Sequence, residues 1–313
     1  MRIIDIVGFG DHIKRNIIPA LNRMDDLQIG AIFVRDLNKA ESESKDLGMK
    51  LNFTSIEKLD KSNQWVYIGT PINTHFPLVK KLLERSVNVI CEKVLTESFS
   101  KTSQLYVLAE LNSCHLIEMS MYKFHRQFYV IKEIISKYRN DIVKVEARFS
   151  IPELDEDNIR YDKSACGGST LDVGYYPVSF ALSTLGSPQR FFYKTSQVSS
   201  KEVDTAGIVT FDYENLYCIC EWAIGTPYKN EVIITLSDKV FKFKRAFSKP
   251  HDLALTYEII TPNGVCYQQV SADDHFVNFF EFALSASNIE SLKEDSMVVS
   301  RVICEIYENH DFN

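Results

Sequence analysis

Arg2-Ile3-Ile4-Asp5-Ile6-Val7-Gly8-Phe9-Gly10 leads directly into Ile13, Ile17, Ala20, Leu21 and Met24, which recur at helical spacing. A short apolar run, two glycines and a helical period describe a buried strand over 2–8 that turns sharply into a helix over 12–24. The alternation then repeats. Strand-like runs cover 29–34, 65–69, 87–91 and 115–120, with helix-like stretches at 37–47, 78–85 and 99–112. Tight hairpins cannot join strands separated by whole helices. Right-handed crossovers can, so the first part of the chain is expected to form a doubly wound parallel sheet with helices on both faces.

The texture changes after residue 141. Strand-like runs crowd together at 143–151, 190–198, 207–212, 216–222, 231–236 and 240–245, with turn residues between them and one helical stretch at 176–185. Closely spaced strands predict a mostly antiparallel open sheet, hence an α+β second domain. The tail, 274–284 and 296–307, reads as helical and is expected to fold back on the first domain. With 313 residues the chain exceeds one core, so two domains are expected, 1–122 and 123–313.

Bulk properties exclude several classes. There are 35 Lys and Arg against 42 Asp and Glu, a net charge of -7, and no basic stripe, which argues against nucleic acid as partner. No run approaches the ~20 apolar residues of a membrane span, and the opening segment lacks a small-residue cleavage site, so it reads as a strand and not a signal peptide. The seven cysteines are scattered without a CxxC pair, which predicts neither a metal centre nor a disulfide framework and places the protein in reducing cytoplasm. Cys218 and Cys220 are expected on one face of a strand as half-buried thiols.

Gly8-Phe9-Gly10 follows a strand and opens a helix, the context that a dinucleotide site requires. Glycines let the backbone turn tightly and approach a pyrophosphate, whose charge then sits on the helix N-terminus, with His12 as an added contact. The third glycine of the usual G-x-G-x-x-G is Ile13 here. At the end of the second strand, NAD enzymes place an acid for the ribose hydroxyls, whereas this chain has Val34 followed by Arg35. An arginine fork suits a 2′-phosphate, so NADP(H) is the preferred expectation. Asp36 comes next, and a one-residue slip would restore an acid and NAD(H).

Three further stretches carry a family resemblance. Tyr67-Ile68-Gly69-Thr70-Pro71-Ile72-Asn73-Thr74-His75 resembles the strand-end segment beside the nicotinamide in the glucose–fructose oxidoreductase/inositol dehydrogenase (Gfo/Idh/MocA) family. Val89-Ile90-Cys91-Glu92-Lys93-Val94 resembles that family's Glu-Lys-Pro motif, with valine where proline is usual. Cys166-Gly167-Gly168-Ser169-Thr170-Leu171-Asp172-Val173-Gly174-Tyr175-Tyr176-Pro177 is similar to its Gly-Gly segment leading to Asp-x-Gly-x-His/Tyr. Glu118-Met119-Ser120-Met121-Tyr122-Lys123-Phe124-His125 and Asn158-Ile159-Arg160 resemble the branch containing xylose and dihydrodiol dehydrogenases. The resemblance implies an NAD(P)-dependent oxidoreductase with a Rossmann domain, acting on a sugar, keto-sugar or nucleotide-sugar, and a homodimer or higher homo-oligomer built on the second domain's sheet.

Hydride transfer at an alcohol carbon needs a matched proton transfer at the substrate oxygen, by a group whose pKa can be tuned. Lys93, at a strand end, suits that task, because burial and a cationic nicotinamide both lower an ammonium pKa. Tyr176 is the second candidate, as proton donor to a ketone, and Asp172 holds a substrate hydroxyl or pairs with Lys93. The resemblance assigns Lys93, Asp172 and Tyr176 to the catalytic site. The candidates for the cofactor are Gly8, Gly10, His12, Ile13 and Arg35, from the glycine turn and the end of the second strand, with Thr70, Pro71, His75, Glu92 and Lys93 from the family-like segments. Tyr122, Lys123 and Arg160 are candidates for the substrate. Each residue also has an ordinary reading: a solvated lysine, Asp172 as a helix cap, Tyr176, His75 and His125 as core side chains. The departures at Ile13, Val94 and Cys166 leave open a second function, a dinucleotide-binding sensor or partner protein without turnover.

Overall fold

The computed structural model describes residues 1–49, 51–61, 65–196, 202–285 and 289–309. By its internal contacts the chain divides into two units, Met1–Ser120 with Phe276–Ser296, and Met121–His275 with Met297–Asn313.

The first unit is organised by β1 (Arg2–Val7), β2 (Leu27–Val34), β3 (Asn52–Ser55), β4 (Trp65–Ile68), β5 (Asn88–Glu92) and β6 (Leu116–Met119). They form one sheet in the order β3-β2-β1-β4-β5-β6, with every neighbour parallel. Ile4, Ile6, Val7, Val66, Ile68, Val89 and Ile90 are fully buried, as strands covered on both faces must be. Asp5 is a polar residue buried among them. It sits where the β1–β2 register shifts between Ile4 and Ile6, and its carboxylate accepts the Ala31 amide at 2.7 Å. A side chain thus satisfies a backbone donor beside an irregularity in the ladder.

The helices α1 (Ile18–Leu21), α2 (Leu37–Asp46), α3 (Ile72–Leu83) and α4 (Phe99–Leu111) make the crossovers. A π-helical turn, Ile13–Ile17, precedes α1. β3 carries little apolar signal and is absent from the sequence reading. α3 begins six residues earlier than expected, because Pro77 lies inside the helix and reads as a breaker although it removes only one rung.

In the second unit a 3-10 turn, Met121–Phe124, precedes α5 (Arg126–Lys137), a helix absent from the sequence reading. Its sheet comprises β7 (Ile142–Ile151), β8 (Arg190–Ser196), β9 (Ala206–Tyr213), β10 (Leu216–Ile224), β11 (Lys229–Leu236), β12 (Val240–Lys244), β13 (Leu255–Thr261) and β14 (Gly264–Val270). The expected end of β8, at 197–198, lies outside the described residues. The order is β14-β13-β12-β11-β7-β10-β9-β8, antiparallel throughout except for β7 beside β10. The fold class is therefore the expected one, a Rossmann sheet and an α+β unit with a mostly antiparallel open sheet.

Period-two patterning sets the faces of the second sheet. Val145, Ala147, Val209, Phe211, Cys218, Cys220, Trp222, Val232 and Phe243 are buried inside, with α6 (Tyr175–Leu185) packed on β7 and β10. Both thiols are more deeply buried than expected, and Cys220 Sγ donates to the Pro177 carbonyl at 3.1 Å. The opposite face carries one row across all eight strands: Phe192, Thr210, Ile219, Glu146, Ile233, Lys242, Glu258 and Tyr267. In the adjacent row Arg148 meets Glu221 at 2.5 Å, Glu146 at 2.6 Å and Glu231 at 3.3 Å. The tail forms α7 (His275–Leu284) and α8 (Ile289–Glu308).

Candidate functional site

In a sheet of order 3-2-1-4-5-6, the chains leaving β1 and β4 depart to opposite faces, and the crevice left at their C-terminal ends is where a ligand fits. A cleft of ≈ 990 Å³ opens there. Its walls include Gly8, Gly10, Asp11 and Lys14 after β1, Arg35, Asp36 and Lys39 after β2, and Gly69, Thr70 and Pro71 after β4. Gly8 has φ +104°, and a Cβ on it would lie 3.0 Å from Thr70 Cγ2 and 3.1 Å from the Gly69 carbonyl. Gly10 faces open space within 4 Å. One glycine makes the bend and the other leaves room for a phosphate against backbone N–H groups.

Ile13 explains the missing third glycine. Its side chain is fully buried, and its Cδ1 would stand 2.9 Å from a Cβ on Gly69. Close approach of helix and sheet is thus achieved by a bare Gly69 on the sheet side, with isoleucine filling the gap.

Cations and acids alternate round the cleft. Lys14 reaches Asp11 at 3.0 Å and Glu43 at 3.1 Å. Burial opposes the lysine's charge, but the two carboxylates outweigh it and raise its pKa, while Lys14 holds Asp11 below the usual carboxylate range. The Asp36 carboxylate is committed as the N-cap of α2, accepting the Lys39 amide at 3.0 Å. Among the described residues nothing holds the Arg35 guanidinium, which lines the cleft exposed. That is the disposition a 2′-phosphate needs.

Lys93 follows β5 directly, and the Lys93–Val94 peptide is cis. The segment after it is pinned from three sides. His75, buried in α3, places Nδ1 3.1 Å from the Val94 carbonyl and 3.2 Å from that of Leu95, and Nε2 2.8 Å from the Thr70 carbonyl. Glu118 accepts the Leu95 amide at 2.7 Å and the Ser296 hydroxyl at 2.7 Å. Glu92 accepts the Tyr67 hydroxyl at 2.7 Å, stands 3.0 Å from His12 Nε2, and takes the Lys93 amide at 3.2 Å. Burial pushes the Glu92 carboxyl up, yet His12, Tyr67 and Lys93 outweigh it and bring it below its ordinary value.

Over residues 3–120 the sequence matches the family described as "Oxidoreductase family, NAD-binding Rossmann fold" (GFO_IDH_MocA), and over residues 132–241 it matches the "GFO/IDH/MocA C-terminal domain". The chain belongs to the Gfo/Idh/MocA oxidoreductase family. Among similar proteins, D-xylose 1-dehydrogenase (NADP(+)) 2 of Haloferax volcanii is 29% identical over 316 residues, 98% of this chain and 96% of its own. A dTDP-3,4-didehydro-2,6-dideoxy-α-D-glucose 3-reductase of Streptomyces antibioticus is 29% identical over 281 residues, 87% and 84% of the two chains. In three dimensions the fold is similar to a 3-ketoreductase of Actinomadura kijaniata solved with NADP and TDP-benzene. The TM-score is 0.90 at 21% identity, over 96% of this chain and 95% of that one.

In this Gfo/Idh/MocA chain the second unit builds the Asp172 and Tyr176 segment from its glycines. Gly167 and Gly168 lie where any Cβ would collide, 2.6 Å from the Arg160 carbonyl and 2.3 Å from Asp204 Oδ1. Asp204 is buried, and its Oδ2 accepts the Ser169 hydroxyl at 2.5 Å, the Thr170 amide at 2.7 Å and the Thr170 hydroxyl at 2.8 Å. A π-helical turn, Thr170–Gly174, leads into α6, with Gly174 bare against the Trp222 ring. Asp172 on that turn is ion-paired with Arg160, whose pKa the carboxylate raises. Tyr176 is half-buried among Phe149, Tyr122 and Phe247, at ring distances of 4.9, 5.8 and 5.9 Å.

The sequence candidates therefore fall into groups. Gly8, Gly10, Arg35, Thr70 and Pro71 line the cleft; Ile13 and His75 go into the core, and His12 turns to Glu92. In the second unit Arg160 and Asp172 meet. Tyr122 is fully buried with its hydroxyl 2.7 Å from Ser179 Oγ, and Lys123 is buried beside the Tyr122 ring. His125 caps α5, accepting the Gln127 amide at 3.0 Å. Lys14, Tyr67, Glu118 and Asp204 were missed as site-builders. A charged or acidic residue inside an apolar run, as at Glu118, was the available signal.

Proposed function

We propose that this oxidoreductase uses NADP(H) in preference to NAD(H) and acts on a CH–OH carbon of a sugar, keto-sugar or nucleotide-sugar. The observation that carries the cofactor reading is the pair at the end of β2: Asp36 is spent on capping α2, while Arg35 stands open in the cleft. The names of the relatives, a xylose dehydrogenase and deoxysugar reductases, support the substrate class. Residues 1–122 hold the dinucleotide and residues 123–313 supply the substrate side and the oligomer contact.

The residues present fit a dinucleotide. Gly8 bends the backbone and Gly10 leaves open space at the head of the helix for the pyrophosphate, Arg35 reads the 2′-phosphate, and Thr70 and Pro71 border the nicotinamide end. When bound, the cofactor supplies the hydride acceptor or donor. Lys93 moves the proton at the substrate oxygen and polarises a carbonyl there. Tyr176 donates to a ketone oxygen, held by an aromatic surround that leaves it few rotamers. Asp172 accepts a substrate hydroxyl, its own charge balanced by Arg160.

The protein acts in the cytoplasm as a homodimer. Exposed Phe192, Ile208 and Tyr217 on the outer sheet face support that reading, since exposed aromatic and β-branched side chains on one face gain from cover. The test of the cofactor reading is a titration with NADPH and with NADH followed by nicotinamide fluorescence. Tight NADPH and much weaker NADH binding is expected; preference for NADH would hand the ribose to Asp36. Screening sugars and keto-sugars with the preferred cofactor then tests the substrate class.

A further inference from the structure

His12 lies between cleft-lining Asp11 and buried Ile13, and its side chain turns to Glu92. Its Nδ1 lies 3.2 Å from the Asn16 amide nitrogen, which can only donate. The proton of the neutral ring therefore sits on Nε2, which donates to Glu92 Oε1 at 3.0 Å. The Phe276 ring, 5.8 Å away and tilted by 53°, backs the imidazole. Glu92 Oε1 also takes the Tyr67 hydroxyl, and Oε2 takes the amide of Lys93. A buried carboxylate is stable only while its lone pairs are matched. Glu92 is thus oriented from β4 by Tyr67, from the glycine turn by His12, and it orients the next residue, Lys93. Of these supports only His12 belongs to an element that lines the dinucleotide cleft.

We propose that His12 is a positioning residue which couples the glycine turn to Lys93 through Glu92, so that filling the turn and setting the lysine are one event. The proposal rests on the reading of the cleft as a dinucleotide site. Occupation of the turn shifts the backbone at residues 10–12, the imidazole carries that shift to the Glu92 carboxylate, and the Lys93 amide follows. An apolar residue at 12 would leave the turn able to bind phosphate but would cut the link.

The test uses the full chain and 2′-phospho-ADP-ribose, which fills the turn but has no nicotinamide ring to shield Lys93 directly. Binding is read by isothermal titration calorimetry, and Lys93 reactivity by trace acetylation followed by peptide mass analysis. In the wild-type chain the ligand is expected to change Lys93 reactivity by at least about fivefold, the low end of ordinary coupling. His12→Ala is expected to bind the ligand within about threefold of wild type while losing that response. His12→Gln, which keeps a donor toward Glu92, is expected to restore it. Tyr67→Phe removes the other donor to Oε1 without touching the turn, so its response is expected to persist; it also serves as the control that loss of a Glu92 partner by itself is not the cause.

A His12→Ala chain that responds as wild type does would overturn the coupling, as would a wild-type chain that binds without any response. Loss of the response in Tyr67→Phe as well would reduce His12 to one of several equivalent donors and sink the specific role. If the wild-type chain does not bind the ligand at all, the dinucleotide reading fails first and the coupling with it. That outcome is recognised by the calorimetry alone.

Discussion

Two neighbouring residues at the end of β2 divide the work: Asp36 caps a helix and Arg35 meets the cleft. Arg35→Ala is expected to weaken NADPH binding by about 10–100-fold, the worth of hydrogen bonds to a charged group, with NADH affected by less than about threefold. Equal losses for both cofactors in the fluorescence titration would remove Arg35 as the phosphate reader. Lys93→Met keeps the length of the side chain and deletes its proton chemistry. Turnover is expected to fall by about 10²–10⁴-fold with dinucleotide binding little changed, and turnover within a few-fold of wild type would end the catalytic assignment. Gly168, at φ +117° and with Asp204 Oδ1 2.3 Å from any Cβ, tolerates no side chain. Gly168→Ala is expected to cost about 2–4 kcal/mol in denaturant unfolding, because strain and the displaced Asp204 clamp add.

The sequence motifs meet the elements at two π-helical turns, Ile13–Ile17 before α1 and Thr170–Gly174 before α6. A proline follows each within three residues, Pro19 and Pro177. Proline cannot donate to the carbonyl four residues back and its ring crowds that carbonyl, so a wider turn just upstream relieves both defects. The prolines were visible in the sequence; the widening they call for depends on the wall behind each turn. The short strands were less legible. β3 is four residues long and half-buried, and β14 is exposed along almost its whole length, so neither shows an apolar run. α5 was masked by its polar face, although Phe128, Ile131 and Ile135 recur at helical spacing and are buried.

A buried basic cluster at the head of α5 and α7 sets an element-scale pH response. Burial, aided by Lys249, lowers His125 to about 4; burial lowers Lys249 to about 7, and it holds His275 well below its ordinary value. Below the unfolded histidine pKa of about 6.5 the unfolded chain binds protons that these rings refuse, so stability falls as pH drops toward 4. Lys249 works in the same direction at higher pH, its penalty growing from about 10.5 down to about 7. Asp11 and Glu92, both lowered, contribute fully above the ordinary carboxylate pKa and lose that contribution as the pH falls from there through their lowered values. The free energy of unfolding is therefore expected to be higher at pH 8 than at pH 5, by up to about 1.4 kcal/mol per histidine and per pH unit below about 6.5, as denaturant unfolding at the two pH values would show. His125→Asn retains the α5 cap acceptor and should flatten that slope; an unchanged slope would exonerate His125.

For the whole molecule, the outer face of the eight-stranded sheet carries a balanced interior around Arg148 and aromatic residues toward its edges. A patch of that character is suited to self-association, since each charge brings its partner with it and the aromatics supply the apolar area. Sedimentation at micromolar concentration is expected to give the mass of two chains, and Phe192→Asp with Tyr217→Asp to shift it to one. A one-chain mass for the wild-type protein would remove the dimer. No helix among the described residues is long and apolar enough to cross a membrane.

Local pattern by itself determined the alternation of strand and helix, the glycine turn, the change of texture near residue 141 and the placement of Lys93 at a strand end. Each of these depends on periodicity or on a backbone need that one residue type meets. Only the tertiary structure decided which side chains face the cleft. Ile13, His75 and His12 lie in cofactor-like positions along the chain, yet one fills the space beside Gly69, one staples three carbonyls and one turns to Glu92. The physical reason is that a buried polar group must find partners wherever the fold brings them. For Asp204, 35 residues from Ser169, and for Glu118, whose partner is Ser296, those partners are set by topology and not by spacing.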